Sequence, residues 1–253
     1  MILRQLFALV IACGLSHPAR SQPPAASSSA ASSPAPTQNF LRSSGASESW
    51  PSETVSSPAL PQPPEAIARL QRAGNVSFVF YDPAVHARRY AGETRFSIDY
   101  RSKSRFRWRL VRQATGQREL VIRTNFDALH FDLKHQILLP VTLANEQFYQ
   151  SQLVRHEFDH VRISTDPRFQ KRLAEWLKSE LQIVRVEVVA NSSKNELNEL
   201  ANTVVQQQAD QLFQRMLALI QVRYSELDQT TRHGAAPLPE DFFSEEAQPQ
   251  GRK

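Results

Sequence analysis

The spacing of apolar residues divides the chain into a half with a two-residue period and a half with a helical one. Val76-Ser77-Phe78-Val79-Phe80-Tyr81 is β-branched and aromatic, and predicts a strand. Residues 96–100 (Phe-Ser-Ile-Asp-Tyr) alternate and predict a second. Residues 105–110 (Arg-Phe-Arg-Trp-Arg-Leu) alternate strictly between basic and apolar. That is the pattern of a strand with one buried face and one row of arginines in water. Ala114-Thr115-Gly116-Gln117 reads as a turn, and Leu120-Val121-Ile122 as the returning partner. Residues 128–133 and 136–140 predict two more short strands, with Lys134 and His135 at their junction. Ahead of them, residues 65–70 predict a short helix after a double proline.

From Asn145 the period lengthens. Asn145 is a plausible N-cap with Glu146 in the first turn, predicting a helix that runs through His160 to about 164. Its apolar residues (Phe148, Tyr149, Leu153, Val154, Phe158, Val161) cover more than one face, which predicts burial on two sides. Asp166-Pro167 pairs a capping aspartate with a proline at the first helical position, and so starts the next helix. Residues 184–188 alternate as a short strand. A long helix follows over about 196–227, with Leu197, Leu200, Val204, Leu212, Met216, Leu219 and Ile220 at core spacing. The fold class is therefore α+β: an antiparallel β-rich half, then a helical half with a long C-terminal helix.

The two ends read differently. Residues 1–21 have the form of a signal peptide: Arg4, then the apolar run from Leu6 to Ala12, then small Ala19 and Ser21 before a cleavage point. This implies a secreted, periplasmic or cell-envelope protein. Val10-Ile11-Ala12-Cys13 also resembles a lipobox, which makes Cys13 an alternative lipid anchor. Residues 22–63 are dominated by Ser, Ala and Pro and predict a disordered linker. The domain itself is expected over 64–235, and a flexible tail over 236–253.

The formal charge of +5 is modest and does not by itself argue for nucleic acid. In the arginine-rich strand the aromatics point away from the basic face, so they cannot stack bases there; no nucleic-acid partner is expected. Cys13 is the only cysteine. A metal site in the mature chain would therefore use His, Asp or Glu.

Such a site is suggested by His156-Glu157-Phe158-Asp159-His160, which reads H-E-x-x-H inside a predicted helix. Residues four apart share a helix face, so His156 and His160 can hold one zinc ion, with Glu157 beside it as a base for a metal-activated water. A catalytic zinc normally has three protein ligands. Glu175, Glu180, Asp210 and His233 are candidates for the third. His130 and His135 are single strand histidines and read as structural. His233 lies in Asp228-Gln229-Thr230-Thr231-Arg232-His233-Gly234, directly after the long helix. About 30 helical residues cover ~45 Å, enough to bring the chain back across the domain.

With H-E-x-x-H at 156–160, the preceding Leu139-Pro140 and D-x-x-T-x-H-G at 228–234, residues 76–235 resemble a family of bacterial secreted zinc-dependent proteases, known largely as a domain of unknown function. The resemblance implies a zincin-like fold, zinc held by His156, His160 and His233, Glu157 as catalytic base and Asp228 positioning the final loop. Asp159, Arg162 and Leu227 depart from the family pattern. The function expected is a zinc-dependent metallohydrolase, most simply a metallopeptidase acting on protein or peptide. The alternative is a non-catalytic envelope binding or scaffold protein with a structural or vestigial zinc site.

Overall fold

A computed structural model describes residues 37–44 (backbone only), 58–85, 90–189 and 192–243. The expected signal peptide, Cys13 and most of the expected linker lie outside them. The described residues all belong to one unit, within Ser33–Lys253.

The sheet is built on two long strands, β3 (Glu93–Arg112) and β4 (Arg118–Pro140), joined by the predicted turn. They pair antiparallel along their whole length. β1 (Thr37–Ser44) pairs antiparallel with the outer edge of β3. The other edge of β4 is shared: β5 (Ile183–Val188) pairs antiparallel with its first residues, and β2 (Val76–Tyr81) parallel with its last. The result is a mixed five-stranded sheet in the order β1-β3-β4-β2, with β5 also on β4. β1 falls inside the segment expected to be a disordered linker.

The sequence pattern suggests several short strands where the structure has two long ones. The apparent breaks are polar residues that the ladder carries through. Ser102 and Ser104 are buried, and a register shift between Lys103 and Ser104 absorbs the irregularity. Strand continuity here comes from backbone pairing with the neighbour, which a period-two reading of one segment does not see.

Among the described residues four α-helices accompany the sheet: α1 (Glu65–Gly74), α2 (Gln152–Ser164), α3 (Pro167–Glu180) and α4 (Lys194–Thr231). α3 starts as predicted, with Asp166 accepting the Arg168 N–H and Pro167 at the first position. α4 is longer than predicted, because Ser193 and Glu196 form a capping box at its start. α2 starts later than predicted. The Asn145 side chain accepts the Gln147 N–H at 2.8 Å, a turn rather than a cap, and extended Ser151 separates the 3-10 turn Phe148–Gln150 from α2.

Two cores meet at α2. On one side Val154, Phe158 and Val161 pack with Phe80, Ile137, Leu139 and Phe148. On the other, Ile163 joins a larger core of β3, β4, α3 and α4. α2 is thus buried on two sides, as its pattern requires. α4 is fixed to the sheet by polar contacts as well: Tyr100 donates to Asp210 at 3.0 Å and the Trp108 indole N–H to Asn198 at 2.6 Å.

The tail expected to be flexible over 236–253 is docked as far as residue 243. Phe242 is buried, and the Arg223 guanidinium lies over its ring and donates to its carbonyl at 2.8 Å. Arg162 covers the Phe243 ring at 3.7 Å. Two adjacent aromatics over two arginines supply the contact that a Pro- and acid-bearing composition conceals.

Candidate metal centre

α2 places His156 and His160 one turn apart on its inner face, with Glu157 between them. All three are buried, at 4%, 5% and 2% exposure. The last turn of α4 supplies Asp228. Its carboxylate Oδ1 is 3.1 Å from Nε2 of both histidines. His156, His160 and Asp228 each offer one ligand atom, all mutually within 4.8 Å. The third donor of the group is therefore Asp228, expected from the motif only to position the loop.

The chain reverses sharply after α4. Arg232, His233 and Gly234 all have left-handed φ, at 51°, 54° and 80°. Gly234 is required twice over, since a Cβ there would also come to 3.0 Å of His156 Cβ and Cγ. His233 remains at the rim. Its Nδ1 is 3.5 Å from Asp228 Oδ1, its side chain is 41% exposed, and its ring stacks on Tyr90 at 3.9 Å between centroids. It stands beside the three donors rather than among them.

The other candidates are elsewhere. Glu175 is exposed, Glu180 pairs with Arg215, and Asp210 accepts from Tyr100 and Gln206. His130 is exposed. His135 is buried and structural: Nδ1 meets the Gly74 carbonyl at 2.6 Å and Nε2 meets Ser164 Oγ at 2.5 Å.

Thr231 sets the protonation of His156. Its hydroxyl donates to the Leu227 carbonyl at 2.8 Å and accepts the Gly234 N–H at 3.2 Å. With its proton committed, Thr231 Oγ1 can only accept from His156 Nδ1, 3.1 Å away. Nε2 of His156 then faces a carboxylate oxygen of Asp228. Burial opposes ionisation of Asp228, yet hydrogen bonds from both histidines hold its carboxyl well below the usual range. A 3.1 Å contact between these two atoms needs a cation between them, either a proton on Nε2 or a metal ion. Two of the three donor separations, at 3.1 Å each, are close to the ~3.3 Å between donors held about 2.0–2.1 Å from a tetrahedral zinc. His160 Nδ1 is buried without a partner among the described residues, and its ring lies 4.4 Å from that of Tyr224.

Glu157 is shaped by the start of β3. Thr94 Oγ1 donates to its Oε2 at 2.7 Å. A Cβ on Gly92 would lie 2.3 Å from Oε1, so only glycine leaves room for the carboxylate. Burial pushes the Glu157 carboxyl up to about 7, against the opposing Thr94 hydrogen bond. Asp159 is likewise raised by burial, to about 6, with Arg162 opposing. Thr94 and Gly92 carry no signal in sequence, as they lie more than 60 residues from Glu157. Thr231 stood within D-x-x-T-x-H-G without an assigned role.

Comparisons with protein-family models, with curated proteins and with solved structures return no match. The resemblance to secreted zinc proteases rests on the motifs alone. No described helix is long and apolar enough to cross a membrane.

Proposed function

We propose that this chain is a zincin-like, zinc-dependent metallohydrolase, most simply a metallopeptidase, that works outside the cytoplasm. Its metal would be held by His156, His160 and Asp228. The observation that carries the reading is the wiring of His156. Thr231 accepts from Nδ1, so Nε2 faces the Asp228 carboxylate, where a metal ion can take the place of a proton between them.

When bound, zinc supplies Lewis acidity that polarises a scissile carbonyl and acidifies a water. The chain's own residues handle the proton. Glu157, raised to about 7 by burial, is poised near neutrality both to accept a proton and to return it. Thr94 holds Oε2, leaving Oε1 beside Gly92 to take the proton from the attacking water and deliver it to the leaving amine. Asp228 carries the negative charge that balances the cation. The apolar shell of Phe158, Val154 and Val161 keeps α2 fixed. The leader-like residues 1–21 support the location, with Cys13 as the alternative anchor.

The test is a pair of substitutions assayed with a labelled protein substrate and by metal analysis. Glu157→Gln retains zinc and loses hydrolysis by roughly 10²- to 10⁴-fold; His156→Ala loses both. A Gln variant as active as the parent rejects the mechanism.

A second reading draws on His233. From 3.5 Å beyond Asp228 it could move in as a fourth ligand and close the site, giving a structural zinc in an envelope scaffold. Zinc bound with no turnover of any peptide, and lost on His233→Ala, would favour it.

A further inference from the structure

The strict basic–apolar alternation of residues 105–110 puts Arg105, Arg107 and Arg109 on one exposed face of β3. Arg123 of β4 joins them, directly opposite Arg107 across the ladder. With Val121 and Asn125 they line an open cavity of about 510 Å³. Val121, partner of Arg109, forms its apolar floor and is 4% exposed.

The charges of this face are not balanced from within. Arg105 is paired with Asp127 at 3.0 Å. Nearby Glu119 is held by Arg185 at 2.9 Å. The side chains of Arg107, Arg109 and Arg123 make no ion pair or hydrogen bond among the described residues. Like charges directly opposite on a sheet destabilise it. Here Arg107 and Arg123 stand opposite each other on the exposed face, and Arg109 stands two residues along the strand, about 7 Å away. Guanidinium forks match phosphate geometry.

We infer that this cavity binds an extended phosphodiester chain through its backbone phosphates. One phosphate sits between Arg107 and Arg123, and the next lies at Arg109. A groove suits a linear polymer better than a flat bilayer. Phe106 and Trp108 also border the cavity, but Phe106 is buried and Trp108 is tied to Asn198, so neither is presented for stacking, in keeping with the sequence pattern that argued against base recognition. The ligand is therefore held by charge, without reading bases. The site is separate from the metal centre, since Thr94 and Arg107 are 13 residues apart on β3, about 40 Å. It does not depend on the proposed hydrolase activity.

The test is fluorescence anisotropy on the full chain with a short labelled oligothymidylate, an abasic strand of equal length and a salt titration. Both strands should bind with similar affinity. Arg107→Ala/Arg109→Ala/Arg123→Ala should weaken binding roughly tenfold or more and lower the log–log salt slope by about 1.4, the share of two phosphates on a single strand. Arg69→Ala/Lys171→Ala/Lys178→Ala, with the same charge change elsewhere, should bind like the parent. Circular dichroism checks that both triple variants fold. The inference is overturned if the parent binds neither strand, if the abasic strand fails to bind, or if the two triple variants behave alike. Binding to phosphatidylglycerol vesicles without binding to either strand overturns it too, as the face would then be a membrane contact.

Discussion

Glu157 shows how closely a single side chain is specified. Two residues of the β3 start enclose it, one by donating a hydrogen bond and one by having no side chain. Gly92→Ala places a methyl 2.3 Å from Oε1, a distance no relaxed structure holds, so either β3 or the carboxylate must shift. The atoms nearest to that methyl belong to Glu157 and Leu153, not to a metal ligand. The expected outcome is near-normal zinc content with hydrolysis down by roughly 10²-fold, since a misplacement of about 1 Å has that effect. Steady-state assay beside metal analysis checks it; unchanged activity would mean that Oε1 is not the working oxygen. Asp159, in contrast, has only a half-buried position and an electrostatic contact with Arg162, and no role for it emerges.

At the scale of elements, the site joins one helix to the end of another. The α2 half was legible in sequence because its ligands are four residues apart and helical spacing alone brings them together. The Asp228 half was legible as a motif but not as chemistry. Asp228 is placed by the last turn of α4, whereas the position of His233 at the rim depends on three left-handed residues after that helix. Thr94 and Gly92 were illegible, because strand-to-helix contact is set by packing. The docked C-terminal segment was missed for the same reason: its two phenylalanines are ordinary in sequence and gain meaning only against Arg162 and Arg223. Phe242→Ala should lower stability by about 2 kcal/mol, the value of burying one such side chain. Urea unfolding measures this; no change in midpoint would show that the segment is not docked.

Across the whole molecule, the buried His135 ties three elements together. Its Nδ1–H donates to the α1 carbonyl of Gly74, and Ser164 of α2, which accepts from Tyr224 of α4, donates to its Nε2. Burial lowers its pKa below the ordinary 6.5, with the Gly74 hydrogen bond opposing. The sign follows directly. The unfolded chain takes up this proton first as pH falls, so stability is complete above about 6.5 and declines below it. Urea midpoints between neutral and mildly acid pH should fall for the parent and fall less steeply for His135→Gln. Equal slopes would remove His135 as a contributor. The same strands that converge here on α2 extend away to the arginine cavity, so one sheet serves two separate surfaces.

The central claim is that His156, His160 and Asp228 hold a metal. Metal content of the purified full chain, measured by mass spectrometry for the parent, Asp228→Ala and His233→Ala, tests it most directly. The account predicts one zinc per chain in the parent, little or none in Asp228→Ala, and retention in His233→Ala. A parent that binds no zinc after loading, or an Asp228→Ala variant that keeps its full complement, would contradict it.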